Sequence, residues 1–220
     1  MELKEAMSQR HTVRKYSSEP LSDSELQSLS ARVDKLNSDY GLAIKLVQSD
    51  PSGLNAFAKM FMASGVRDYF VLAADEASDA EERLGYASAD LMLYAQTIGL
   101  NTWWIGGTFN KKHTSELAPG KYIPGIVVVG HGAATGVPHK SKPADKVSEY
   151  KGGSAPDWFA AGVEAALLAP TALNRQKFML VGEGSKVTLS YASGPMSGAD
   201  KGIVKYHFEL GAGKENFEWV

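Results

Sequence analysis

Arg10 and Arg14 stand four residues apart in the segment Arg10-His11-Thr12-Val13-Arg14-Lys15-Tyr16. On one helical turn, or from a bend, their guanidiniums can converge and fork a phosphate through paired hydrogen bonds. Thr12 adds a hydroxyl donor. Taken alone, the segment reads more simply as a solvated basic face. A second segment, Ala169-Pro170-Thr171-Ala172-Leu173-Asn174-Arg175-Gln176, sets Asn and Gln around an Arg on a loop. Those amides suit the carbonyl and ring-nitrogen edge of a heterocycle; locally, a helix-ending proline followed by a polar connector is the better reading. A third, Gly99-Leu100-Asn101-Thr102-Trp103-Trp104-Ile105-Gly106-Gly107, ends in paired glycines that let backbone N–H groups come close to a ligand. Its plain reading is a buried strand entering a turn. Lys140 and Lys142, in Lys140-Ser141-Lys142-Pro143, can finish a phosphate site or be ordinary loop charges.

Other chemistries find little support. The five histidines, His11, His113, His131, His139 and His207, lack metal-ligand spacing, and no cysteine is present as thiolate ligand, nucleophile or disulfide partner. No Gly-x-Gly-x-x-Gly follows a strand, so a Rossmann dinucleotide domain is not supported, and no Gly-x-Ser-x-Gly elbow points to a hydrolase triad. Trp103, Trp104, Trp158 and Trp219 read as core or interface residues. A formal charge of −2 argues against a general nucleic-acid binder. Glu2, Lys4 and Glu5 leave no apolar signal region after Met1, and no stretch is long enough to span a membrane. A cytoplasmic protein is expected.

The elements that must position these segments can be read from periodicity. Ser22 and Glu25 have capping-box spacing, and Leu26, Leu29, Val33 and Leu36 share one face of the helix they open. Leu42–Val47 and Tyr69–Ala74 read as strands. Glu81–Gly99 is the clearest helix, with Leu84, Ala87, Leu91, Tyr94, Ala95 and Ile98 on one side and Gly99 as a left-handed stop. Its alanines, with Gly85 and Ser88, predict close approach of another helix, from this chain or a partner. Ile126–Val129 is a central strand. Ser154 is expected to cap a helix that has Pro156 at its start and runs to about Leu168. Phe178–Val181 and Val187–Tyr191 are two more strands. In Asp200–Leu210, Ile203, His207 and Leu210 fit a last helix while Ile203-Val204 and Tyr206 would tolerate a strand; the helix is preferred, ended by Gly211 and Gly213. At 220 residues, 44% of them hydrophobic, the chain is expected to form one α+β domain spanning 1–220.

Read together, the four segments also suit a flavin. An arginine at its pyrimidine edge would stabilise the negative charge that reduction places there. Arg-x-Thr-Val-Arg-x-Tyr, Gly-Leu-Asn-Thr-Trp-Trp-Ile-Gly-Gly, the Lys-x-Lys-Pro that follows a strand ending in Gly130, and Ala-Pro-Thr-Ala-Leu-Asn-Arg-Gln resemble the signature segments of the FMN-dependent nitroreductase family. The likeness runs from Arg10 to Gln176. Its order differs from typical members, in which the Ala-Pro-Ser-x-x-Asn-x-Gln segment closely follows the N-terminal helix; here it comes late, as in a branch of rearranged order. The segment from Asp200 to Gly211 resembles the same branch. Lys177 stands where many members have proline.

The resemblance implies a nitroreductase-like α+β fold, a central, mostly antiparallel sheet surrounded by helices. It implies that Arg10, His11, Thr12 and Arg14 contact the phosphate, ribityl chain and pyrimidine edge of FMN. Pro170, Thr171, Ala172, Leu173, Asn174 and Gln176 would line the isoalloxazine or the opposite face. Ile105, Gly106 and Gly107 would lie against the ring, and Lys140 and Lys142 near the phosphate. It further implies NADH or NADPH as a transient hydride donor, a small-molecule acceptor such as a nitroaromatic or quinone, and a homodimer with flavin between subunits. No catalytic acid or base is named. Two alternatives stay open: another flavin reaction on the same fold, dehalogenation or flavin fragmentation, and a non-enzymatic protein that binds FMN or another phosphorylated ligand.

Overall fold

The first half of the chain is built where the sequence punctuates it. In the computed structural model, which describes residues 1–220, helix α1 spans Leu3–Gln9 and α2 spans Asp23–Tyr40. The α2 capping box is present in full: the Ser22 N–H donates to Glu25 Oε2 at 2.7 Å, and the Glu25 N–H donates to Ser22 Oγ at 3.3 Å. Strand β1 covers only Lys45–Val47, shorter than the expected Leu42–Val47. The reason is local, because the Asn37 side chain takes both backbone groups of Ile44, at 2.8 and 2.9 Å.

Helix α3 (Ala56–Phe61), strand β2 (Asp68–Ala74), helix α4 (Ala80–Thr97), strand β3 (Asn101–Ile105), helix α5 (Lys111–Leu117) and strand β4 (Tyr122–Gly130) follow. Gly99, with φ of 86°, lies just past the end of α4, as its left-handed role requires. The strands form an antiparallel sheet in the order β1-β2-β4-β3, with Tyr69 opposite Val128 and Trp103 also opposite Val128. Both faces of β2 are covered. Phe70, Leu72 and Ala74 enter the larger core, while Tyr69, Val71 and Ala73 enter a smaller one on the other face.

The second half adds strand β5 (Ser148–Lys151), helix α6 (Asp157–Leu167), strands β6 (Phe178–Glu183) and β7 (Lys186–Tyr191), helix α7 (Ser197–Ala212) and strand β8 (Glu218–Trp219). A second sheet results, ordered β5-β6-β7-β8, antiparallel between β6 and β7 and parallel at both flanking pairs. The larger core includes residues of both sheets, so the halves share one apolar interior.

Ser154 does not cap α6: Pro156 is the N-cap, with no side-chain cap, because its extended backbone already offers its carbonyl to Phe159 and Ala160. Gly211 does not end α7, which starts at Ser197 and stops at Gly213, where φ is 79°. Gly211 stays helical because α6 lies against it, and a Cβ there would strike the Ala161 carbonyl.

The close helix contact expected for α4 is met within the chain. A Cβ on Gly85 would collide with the Ala199 carbonyl, and one on Gly202 with the Glu82 carbonyl and the Tyr86 amide. Helix α7 therefore occupies the small-residue face of α4.

Candidate functional site

Neither a helical turn nor a bend presents Arg10 and Arg14. Helix α1 stops at Gln9, where the Arg10 N–H still donates to Ala6, and the chain then runs extended. The Val13 N–H donates to the Thr102 carbonyl on β3 at 3.1 Å, and the Tyr16 N–H to Ser64 at 2.9 Å. Alternation along an extended segment sends Val13 into the core and leaves Thr12 and Arg14 facing the other way.

They face a cavity of about 740 Å³, within the usual range for small-ligand sites. Its walls come from both halves of the chain. From the first half come Arg10, His11, Thr12, Arg14 and the end of β3, with Ile105, Gly106 and Gly107. From the second come Pro170, Thr171, Ala172, Leu173 and Asn174. Twelve of the fifteen expected site residues thus meet in one place.

The other three do not line it. Gln176 is buried and serves the loop itself, its Nε2 donating to the Leu167 carbonyl at 2.9 Å while its Oε1 accepts from the Lys142 N–H at 2.7 Å. Lys142 Nζ donates to the Gln176 carbonyl at 2.8 Å. Lys140 is exposed and offers only its carbonyl, to Asn174 Nδ2 at 2.8 Å. Lys140, Lys142 and Gln176 therefore tie the basic stretch to the loop behind the wall.

Sequence reasoning missed the wall supplied by β7 and α7. Tyr191, Met196, Asp200 and Ile203 all line the cavity. The available signal was a single aspartate, Asp200, on the apolar face of a helix. Buried carboxylates need a reason.

The electrostatics of the cavity are one-sided. Arg10 is 4% exposed, pairs with no carboxylate, and its Nε has no hydrogen-bond partner. Burial pulls its guanidinium down to about 10. His11 is also lowered, by burial and then by the charges of Arg10 and His139. One turn beyond Ile203, His207 is completely buried, and burial drives it down to about 3. Its Nδ1 lies 2.9 Å from the Ile203 carbonyl and so carries the hydrogen, which leaves Nε2 as an acceptor with no partner. Arg14 lies over the Trp103 ring, 5.3 Å from its centroid. At the rim, Val137 and Leu173 stand about four-fifths exposed and present apolar surface to whatever enters.

Residues 2–212 match the family described as "Putative TM nitroreductase". The chain belongs to this nitroreductase family. No curated protein sequence matches it. Among solved structures, "a putative nitroreductase" from Thermotoga maritima MSB8 is similar over 98% of this chain and 85% of its own, at 20% identity and a TM-score of 0.68. One from Desulfovibrio desulfuricans, in complex with FMN, covers 71% of this chain and 99% of its own, at 15% identity and a TM-score of 0.54. A nitroreductase with bound FMN from Desulfitobacterium hafniense covers 67% and 97%, at 19% identity and a TM-score of 0.51. The α+β nitroreductase fold expected from the sequence is thereby established. No helix is long and apolar enough to cross a membrane, and no group of three or more potential ligands could hold a metal ion.

Proposed function

We propose that this nitroreductase-family protein is an FMN-dependent oxidoreductase that passes hydride from NADH or NADPH to an organic acceptor, a nitroaromatic or quinone being typical. The observation that carries the reading is Arg10: a buried guanidinium on a cavity wall, with no acid to neutralise it and a free N–H donor. Such a group is stable next to a bound anion and costly without one. The phosphate of FMN meets that demand, with His11 and Thr12 beside it as further contacts.

When bound, FMN supplies two-electron chemistry between nicotinamide and acceptor. The chain's own residues bind and orient it. Arg14, held on Trp103, places positive charge for the pyrimidine edge; Ile105, Gly106 and Gly107 offer close-approaching backbone; Pro170 to Asn174 form the opposite wall. Val137 and Leu173 give the entrance an apolar lip suited to flat organic acceptors.

Both walls belong to one chain, which supports one FMN per chain held without a second copy. The face of α4 that suggested a homodimer is already covered by α7, so a dimer would have to use another surface. The shared core supports reading 1–220 as one domain, and a cytoplasmic location is part of the same proposal.

The deciding experiment is the visible spectrum of the purified protein, followed by addition of NADH or NADPH under anaerobic conditions. A yellow protein whose flavin bleaches on addition and recovers with an acceptor is expected. A protein that neither carries flavin nor quenches added FMN fluorescence would remove the cofactor. A flavin that stays oxidised would identify a binding protein rather than an enzyme.

A further inference from the structure

The loop on the second wall of the cavity is held in a conformation its residues resist. Leu173, Asn174 and Gln176 have φ of 53°, 52° and 44°, left-handed values that side chains with a Cβ disfavour. Three such residues within four positions persist only if the surroundings over-determine them.

The C-terminal side of the loop has several such ties, through Gln176 and Lys142 and through the Gln176 N–H, which donates to Thr171 Oγ1 at 3.0 Å. On the N-terminal side, the tie from outside the loop is Asp200. The Ala172 N–H donates to both carboxylate oxygens at 3.0 Å, and the Tyr191 hydroxyl donates to Oδ2 at 2.6 Å.

Asp200 is an unusual residue for this place. It is 5% exposed, has no cationic partner, and is the sole carboxylate on the cavity wall. A structural role in α7 would be served by an apolar residue, as at Ile203 one turn on. Burial raises Asp200 above the ordinary aspartate range, with Glu81 adding to the rise, while the bonds from Tyr191 and Ala172 oppose it. What its burial accomplishes is a fixed acceptor, delivered by the helix locked against α4, for a backbone amide of the strained loop.

We propose that Asp200, oriented by Tyr191, is a positioning residue that holds the 170–176 loop in its ligand-ready form against the cavity. The inference rests on the flavin reading only for the identity of the ligand; the clamp itself is a property of the chain.

The test therefore has one arm without flavin and one with it. In the flavin-free protein, trypsin should cut slowly after Arg175 and Lys177, and Asp200→Ala should speed that cleavage by about tenfold, roughly the worth of one buried charge-assisted hydrogen bond. Tyr191→Phe should speed it less, and Asp200→Asn, whose amide oxygen still accepts from Ala172, should recover most of the protection. Titration with FMN should follow the same order, Asp200→Ala binding about tenfold more weakly, with an altered visible circular dichroism of the bound flavin that Asp200→Asn restores. Should Asp200→Ala not fold, the comparison of Tyr191→Phe with wild type carries both arms. Wild-type cleavage in Asp200→Ala, or in Tyr191→Phe where that pair stands in, overturns the clamp. Expected cleavage changes in a protein that does not bind FMN sustain the clamp and remove the flavin instead. Expected cleavage with unchanged FMN affinity and dichroism overturns the claim that the loop is positioned for this ligand.

Discussion

The Arg14 guanidinium lies over the indole of Trp103, 5.3 Å from its centroid, and both residues line the same cavity. The indole face holds the cation by about 0.5–2 kcal/mol, according to how dry the site is. Arg14→Ala is expected to lower the reduction potential of the bound flavin, because the reduced, anionic ring loses its positive neighbour. Trp103→Leu keeps the charge but frees it, so its shift should have the same sign and be smaller. Potentiometric titration of the flavin-saturated variants reads both. A Trp103→Leu shift as large as that of Arg14→Ala would mean that the ring acts on the flavin directly.

Arg10 should behave differently from Arg14. Arg10→Ala removes a charge-assisted phosphate contact and is expected to weaken FMN binding by about 1.5–3 kcal/mol, roughly 10- to 150-fold. Its buried Nε has no partner in the free protein. Arg10→Met should therefore leave the flavin-free protein at least as stable as wild type, in thermal melts, while losing the stabilisation that FMN confers. A large drop in flavin-free stability would show that Arg10 serves the fold instead.

The α4–α7 crossing predicts a contrast between two glycines. A Cβ at Gly202 would overlap the Glu82 carbonyl, whereas one at Gly107 meets nothing within 4 Å. Gly202→Ala is expected to cost about 1–3 kcal/mol, because the helix backbones must separate. Gly107→Ala should leave stability almost unchanged. Urea unfolding of the two variants checks the difference.

His207 gives the protein an acid-labile point. Unfolded, the imidazole takes up a proton near pH 6.5; folded, burial delays that to about 3. Its contribution is therefore complete above pH 6.5 and lost as pH falls from there towards 3, by up to about 1.4 kcal/mol per pH unit. Urea unfolding at pH 7 and pH 5 should show a smaller loss on acidification in His207→Gln than in wild type. Equal losses would assign the acid sensitivity to other groups.

Much of this protein is written locally. The capping box of Ser22 and Glu25, the continuous apolar runs of β2 and β4, and the left-handed stop at Gly99 depend on neighbours a few residues away, so composition and turn chemistry determine them. Taken singly, the Arg10–Tyr16 and 169–176 segments read more simply as a solvated face and a polar connector. Their joint resemblance to a known family is what picks out Arg10, Thr12, Arg14 and residues 170–174, which line the cavity. Tertiary structure decided what depends on distant partners. It straightened the Arg10–Tyr16 segment, because β3 and Ser64 supply its backbone bonds. It turned Gln176 inward and drew the Lys142 ammonium onto the Gln176 carbonyl, so that both hold a strained loop, since a side-chain amide or ammonium satisfies a backbone carbonyl as readily as a ligand. And it set α7 against the small residues of α4, which brought Asp200 and Tyr191, more than 170 residues beyond Arg14, onto the opposite wall of the same cavity. No local pattern encodes that meeting, because it follows from how closely two helix backbones can pack.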